Sequence, residues 1–103
     1  MTMFALALAL AAAPAHAQSR PTSNDQARCG WILSGMESHI SSMEQANRDM
    51  EEAYNSGDLD EYAEAAGDYM EALGFYGTAR TMYEDRDCVR WRPVPDPPKM
   101  WQP

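Results

Sequence analysis

The sequence predicts an all-α protein, an antiparallel helical hairpin fastened by a disulfide bond and followed by an extended, proline-rich C-terminal tail. Three observations predict this fold. Apolar residues recur at alternating spacings of three and four along two proline-free segments. A turn sequence separates the segments, and the chain's 2 cysteines lie at about equal distances from that turn. Because the chain has only 103 residues, we expect one domain that needs a covalent link or a partner for stability.

Residues 1–17 have the features of a signal peptide. The apolar stretch from Phe4 to Ala13 is too short for a membrane-spanning helix, and Ala15-His16-Ala17 has the small-residue pattern of a signal peptidase site. The positive charges that usually begin a signal peptide are missing, and a buried N-terminal helix is the alternative. We expect a linker over 18–24, a periplasmic or secreted location, and no membrane span after signal removal.

Two helices are expected, over 25–55 and 58–86, within a hairpin that covers 25–88. Asn55-Ser56-Gly57 has the residues of a helix end, and Asp58 with Glu61 forms a capping box that starts the second helix. The first helix has an apolar stripe at Cys29, Ile32, Met36, His39, Met43, Ala46, Met50 and Ala53. The second has one at Leu59, Tyr62, Ala66, Tyr69, Leu73, Tyr76, Arg80 and Tyr83.

The two cysteines are expected to form a disulfide bond at the open end of the hairpin. Cys29 and Cys88 lie opposite each other when the chain folds back at the turn. An exported chain reaches an oxidising compartment, where such a pair forms a bridge. An intermolecular bridge and free thiols are the alternatives. Two cysteines and a single histidine of the mature chain do not supply a four-ligand zinc site.

The methionines of the first helix have two interpretations. In the register set by the turn and the cysteines, each long thioether side chain faces a small residue of the second helix. The expected pairs are Met36 with Thr81, Met43 with Gly74, and Met50 with Gly67. The alternative is a copper site, because Met36, His39 and Met43 could present two sulfurs and one nitrogen to Cu(I). We favour the packing interpretation, with no cofactor.

A column of tyrosines is left over if the glycine side of the second helix faces the first. Its members, together with two tryptophans of the tail over 89–103, form the expected interaction surface: Tyr62, Tyr69, Tyr76, Tyr83, Trp91 and Trp101. Three things could cover the column, namely the tail folding back, a second hairpin or a target protein. We expect a homodimer that forms a four-helix bundle.

The composition favours a binding role over catalysis. Sixteen carboxylates against 8 lysines and arginines do not suit nucleic acid. They suit a basic protein partner or, as the favoured interpretation, a solvated acidic surface. The chain has one histidine after signal removal, no free thiol once the bridge forms, and no expected cleft, so we expect no enzyme activity. The sequence therefore predicts a small exported protein-interaction module, such as an inhibitor, an immunity protein, a chaperone-like factor or an envelope-assembly factor. A periplasmic copper-binding protein is the alternative.

Overall fold

The computed structural model describes residues 23–103, and the predicted signal peptide and most of the predicted linker lie outside them. Helix α1 covers Ser23–Ser56 and helix α2 covers Leu59–Asp85. A short 3₁₀ turn, Cys88–Arg90, follows. Residues 91–103 contain no helix or strand. The two long helices pack side by side as the predicted hairpin, and neither is long and apolar enough to cross a membrane.

The turn between the helices has the capping chemistry expected from the sequence. Gly57 has a φ of 78°, the left-handed conformation that glycine adopts without strain. Its backbone N–H donates to the carbonyl of Tyr54 at 3.1 Å, which satisfies a free carbonyl at the end of α1. The Asp58 side chain accepts from the backbone N–H of Glu61 at 3.1 Å, a cap that stabilises a helix by about 1 kcal/mol.

The predicted disulfide bond is confirmed. Cys29 and Cys88 are joined, with their Cα atoms 5.5 Å apart, and both residues are buried. Asp87 has a φ of 62°, so the chain reverses direction between α2 and the 3₁₀ turn and brings Cys88 back toward α1. A bridge that closes a loop of 59 residues stabilises by about 4 kcal/mol in the chain-entropy estimate.

The methionine column lies in the core, but the residues expected to face it do not. Met36, Met43 and Met50 are fully buried. Gly67, Gly74 and Thr81 are exposed, and a Cβ built on either glycine would meet no atom within 4 Å. The predicted pairs of methionine with glycine or threonine are therefore wrong. The residues of α2 that are buried are Ala65, Tyr69, Ala72, Tyr76 and Tyr83.

The physical reason is that tyrosine rings have more apolar surface to bury than a glycine face offers. Helix α2 is turned so that its tyrosines and alanines face inward. Ala65 and Ala72 are separated by seven residues, as are Met50 and Met43. The long methionines of α1 and the small alanines of α2 are buried in one core cluster and recur at the same spacing.

Candidate functional site

Two long grooves run between the helices, one on each side of the methionine column. Residues four positions after a methionine, such as Asn47 and Tyr54, border one side. Residues three positions after, such as His39, border the other. The first groove holds the C-terminal tail and is called the tail groove. The second holds no other part of the described chain and is called the open groove. It is lined by Trp31, Ile32, Gly35, His39, Ser42, Ala72, Phe75, Ala79 and Met82.

A ladder of three tyrosine hydroxyls holds the tail in the tail groove. The hydroxyl of Tyr83 donates to the carbonyl of Arg92 at 2.7 Å. The hydroxyls of Tyr76 and Tyr69 donate in the same way to the carbonyls of Pro95 and Pro98. The tail therefore runs antiparallel to α2, with one anchored carbonyl at every third residue.

The spacing of the ladder explains the proline-rich composition of the tail. Tyrosines seven residues apart on a helix are separated by about 10.5 Å along its axis. Three tail residues must cover that length, which needs a nearly fully extended chain. Proline favours the polyproline II conformation, which rises about 3.1 Å per residue and repeats every three residues. Its repeat therefore presents one carbonyl to each tyrosine of the column.

The end of the tail is held by α1 as well as α2. The Asn47 side chain donates through Nδ2 to the carbonyl of Lys99 at 2.9 Å and accepts through Oδ1 from the backbone N–H of Trp101 at 2.8 Å. The Trp101 ring contacts the rings of Tyr54 and Tyr62, with centroids 5.6 and 6.2 Å away. These contacts close the tail groove near the hairpin turn.

The predicted interaction surface is thus largely occupied by the chain itself. Tyr69, Tyr76 and Tyr83 are buried, and Tyr62, Trp91 and Trp101 are partly buried. Of the three expected ways to cover the tyrosine column, the structure shows the tail. Three carbonyls of the tail accept from the tyrosine hydroxyls, and apolar tail residues pack against the core that contains the rings.

Tyr83, one of the three tyrosines of the ladder, has a shifted pKa. Burial raises the pKa of the Tyr83 hydroxyl above its ordinary value, because the phenolate would lose its hydration. The positive charge of nearby Arg92 opposes this shift in part. The neutral hydroxyl is the form that donates to the Arg92 carbonyl, so the ladder is intact when Tyr83 is protonated.

The open groove exposes large apolar side chains. Trp31 is 76% exposed, Phe75 54% and Met82 41%. The His39 ring stacks on the Phe75 ring, with centroids 5.6 Å apart. Between Trp31 and His39 the groove is a shallow hollow of about 450 Å³, floored by Ile32 and Ala79. Such a concentration of exposed apolar surface is typical of a binding site.

Charge changes sign along the open groove. At the disulfide end, Arg28 and Arg86 border it beside Trp31. Beyond His39, the lining includes Asp68 and Glu71. The groove then continues toward the turn as an acidic hollow lined by Asp49, Glu52, Glu61, Glu64, Ala65 and Asp68. Between Arg48 and Arg80 the sequence has no lysine or arginine. The groove therefore has a basic end, an apolar middle and an acidic end.

The three residues of the alternative copper site lie in different environments. Met36 and Met43 are fully buried in the core, whereas His39 lies at the edge of the open groove against Phe75. Among residues 23–103, no three histidine, cysteine, aspartate or glutamate side chains are grouped so that they could hold a metal ion. The buried thioethers already contribute to the core.

Sequence reasoning missed the residues that define both grooves. Phe75 and Met82 directly precede Tyr76 and Tyr83, so a second column beside the tyrosines was visible in the sequence. Asn47 is a polar residue four positions after Met43, next to the apolar stripe, where an unmatched amide indicates a specific hydrogen-bond partner.

No family model matches this chain, and no curated protein or solved structure gives a significant match.

Proposed function

We propose that this protein is a small exported interaction module that binds a protein through its open groove and does so without catalysis. The observation that carries the proposal is the exposure of Trp31, Phe75 and Met82 in one groove, while the opposite groove is filled by the tail. A partner that covers the open groove removes this apolar surface from water, which is the main favourable term in association.

The tail groove supports this choice of surface. Its tyrosines have their rings packed and their hydroxyls bonded within the chain. A partner that binds there would have to displace the tail first. The open groove needs no such rearrangement, so it is the better docking surface. The disulfide bond fits an exported protein.

Site-specific photo-crosslinking tests the proposal. A benzophenone amino acid replaces Phe75 in the open groove in one variant and Met70 in a matched control. Both residues are exposed and lie on α2, at 54% and 56%, but Met70 does not line the open groove. Illumination in the native host should crosslink the Phe75 variant to a protein, whereas the Met70 variant should form no crosslink. Equal crosslinking at both positions, or none at Phe75, would refute the proposal.

A further inference from the structure

We infer that the occupant of the open groove is the open groove of a second copy of this chain, packed antiparallel about a two-fold axis close to Gly35. This inference rests on the proposed function and names its partner. The dimer is a four-helix bundle, but its interface lies on the side of the hairpin opposite the tyrosines. Each protomer keeps its own tail on the outer side.

The apolar residues of the open groove are arranged symmetrically about Gly35. Trp31 and His39 lie four residues before and after it on α1. On α2, Met82 and Phe75 lie on either side of Ala79, which lines the same hollow as Gly35. A two-fold axis at this level places Trp31 of one protomer on the His39–Phe75 ring pair of the other. The contact is then made twice, as an isologous interface requires.

The charges select the antiparallel arrangement. Arg28 lies seven residues before Gly35, and Ser42, which lines the groove beside Asp68 and Glu71, lies seven residues after it. Rotation about the axis therefore brings the basic end of one groove over the acidic residues of the other. A parallel arrangement would place arginines on arginines and carboxylates on carboxylates, which costs binding free energy.

Glycine at the axis allows the two α1 helices to approach closely. A Cβ built on Gly35 would meet no atom within 4 Å, so no packing contact inside the protomer excludes a larger residue there. In the middle of a helix, glycine lowers stability relative to alanine. Its position at the centre of the open groove is explained if another backbone packs against it.

Complementary charge variants test this register. One variant carries Arg28→Glu and Arg86→Glu, and the other carries Asp68→Lys and Glu71→Lys. All four positions are exposed, so folding is retained and is checked by circular dichroism and by the intact disulfide. By analytical ultracentrifugation, each variant alone should dimerise at least about tenfold more weakly than wild type. An equimolar mixture should recover the wild-type affinity as a heterodimer, because both contacts are then restored.

A steric pair provides an independent test of the axis. Gly35→Gln fills the interface and should abolish dimers while it leaves thermal stability of the monomer equal or higher. Gly74→Gln is the matched control, because Gly74 is a glycine inside α2 that, like Gly35 in α1, has open space at its Cβ but does not line the open groove. It should dimerise as wild type does. Equal loss in both variants would overturn the inferred axis.

The failure of this inference can be distinguished from failure of the proposed function. A wild-type protein that stays monomeric up to about 100 μM, or a charge-variant mixture that fails to recover, overturns the homodimer. If Phe75 then crosslinks to a different protein, the open groove is still a binding site and only its occupant was wrong. If Phe75 crosslinks to nothing, both proposals fall.

Discussion

The tyrosine ladder makes a quantitative prediction about the tail. Tyr69→Phe keeps the buried ring but removes the hydroxyl that donates to the carbonyl of Pro98. The carbonyl loses its partner when the tail is docked and regains water when the tail is released. A neutral hydrogen bond of this kind contributes about 1 kcal/mol. The equilibrium between docked and released tail should therefore shift toward release by about fivefold.

The chain provides its own reporter of tail release. Lys99 is the only lysine in the sequence, and its carbonyl is bonded to Asn47 when the tail is docked. A lysine-specific endoprotease therefore cuts the chain once, and only after the tail has left its groove. Cleavage rate follows the released population when docking is fast relative to cutting. We expect Tyr69→Phe to raise the rate about fivefold, and Tyr83→Phe, which lies farther from Lys99, to raise it less.

Tyr62→Phe is the matched control for this experiment. The Tyr62 ring contacts Trp101 at 6.2 Å between centroids, and phenylalanine keeps that contact. The described structure shows no hydrogen bond from the Tyr62 hydroxyl to the tail, so its removal should leave the cleavage rate close to wild type. If Tyr69→Phe and Tyr62→Phe are cut at the same rate, the hydroxyl ladder does not hold the tail and the account of the tail groove is wrong.

Three further predictions concern stability. In urea titrations, Met43→Ala should lower the free energy of unfolding by about 2 to 5 kcal/mol, and Met43→Leu should lower it by less than about 1.5 kcal/mol. If both variants lower it equally and both lose tight Cu(I) binding, the result would favour the copper alternative. Burial raises the pKa of Tyr83 in the folded protein. The contribution of the neutral Tyr83 hydroxyl to stability is therefore complete below the pKa of tyrosine in the unfolded chain, and it is lost as pH rises through the pKa of Tyr83 in the folded protein. Stability should therefore fall above about pH 10, and a fall of the same size in Tyr83→Phe would contradict this assignment. Reduction of Cys29–Cys88 should cost about 4 kcal/mol, measured by unfolding with and without reductant, and two thiols alkylated without reductant in the native protein would contradict the bridge.

The parts of the fold that depend on local chemistry could be predicted from the sequence. The helix ends at Gly57 and Asp58, the capping contact to Glu61 and the disulfide bond are all present as expected. Each depends on neighbouring residues or on the simple geometry of a hairpin. The burial of the methionine column also follows from its periodicity.

The face that α2 turns toward α1 could not be predicted in this way. The expectation treated the glycines as contact points because they are small. A small residue permits close approach, but it supplies little apolar surface to bury. The deciding factor was the tyrosine column, whose burial depends on hydroxyl acceptors in a distant segment of the chain. A proline-rich tail has no helical or strand periodicity, so the match between its three-residue repeat and the seven-residue spacing of the tyrosines becomes visible only when both segments are considered together.

The match between the tail and the tyrosine column also determines which apolar surface is left for a partner. Phe75 and Tyr76 are neighbours, as are Met82 and Tyr83, so α2 presents an aromatic or apolar column to each groove. A bare hairpin could associate through either column, and the two interfaces would compete. The docked tail buries the tyrosines and satisfies their hydroxyls, which leaves the column at Phe75 and Met82 as the exposed apolar column of α2 that borders a groove. The tail is therefore a third layer of the core, and in the proposed dimer it would restrict association to one geometry, because it removes the alternative interface.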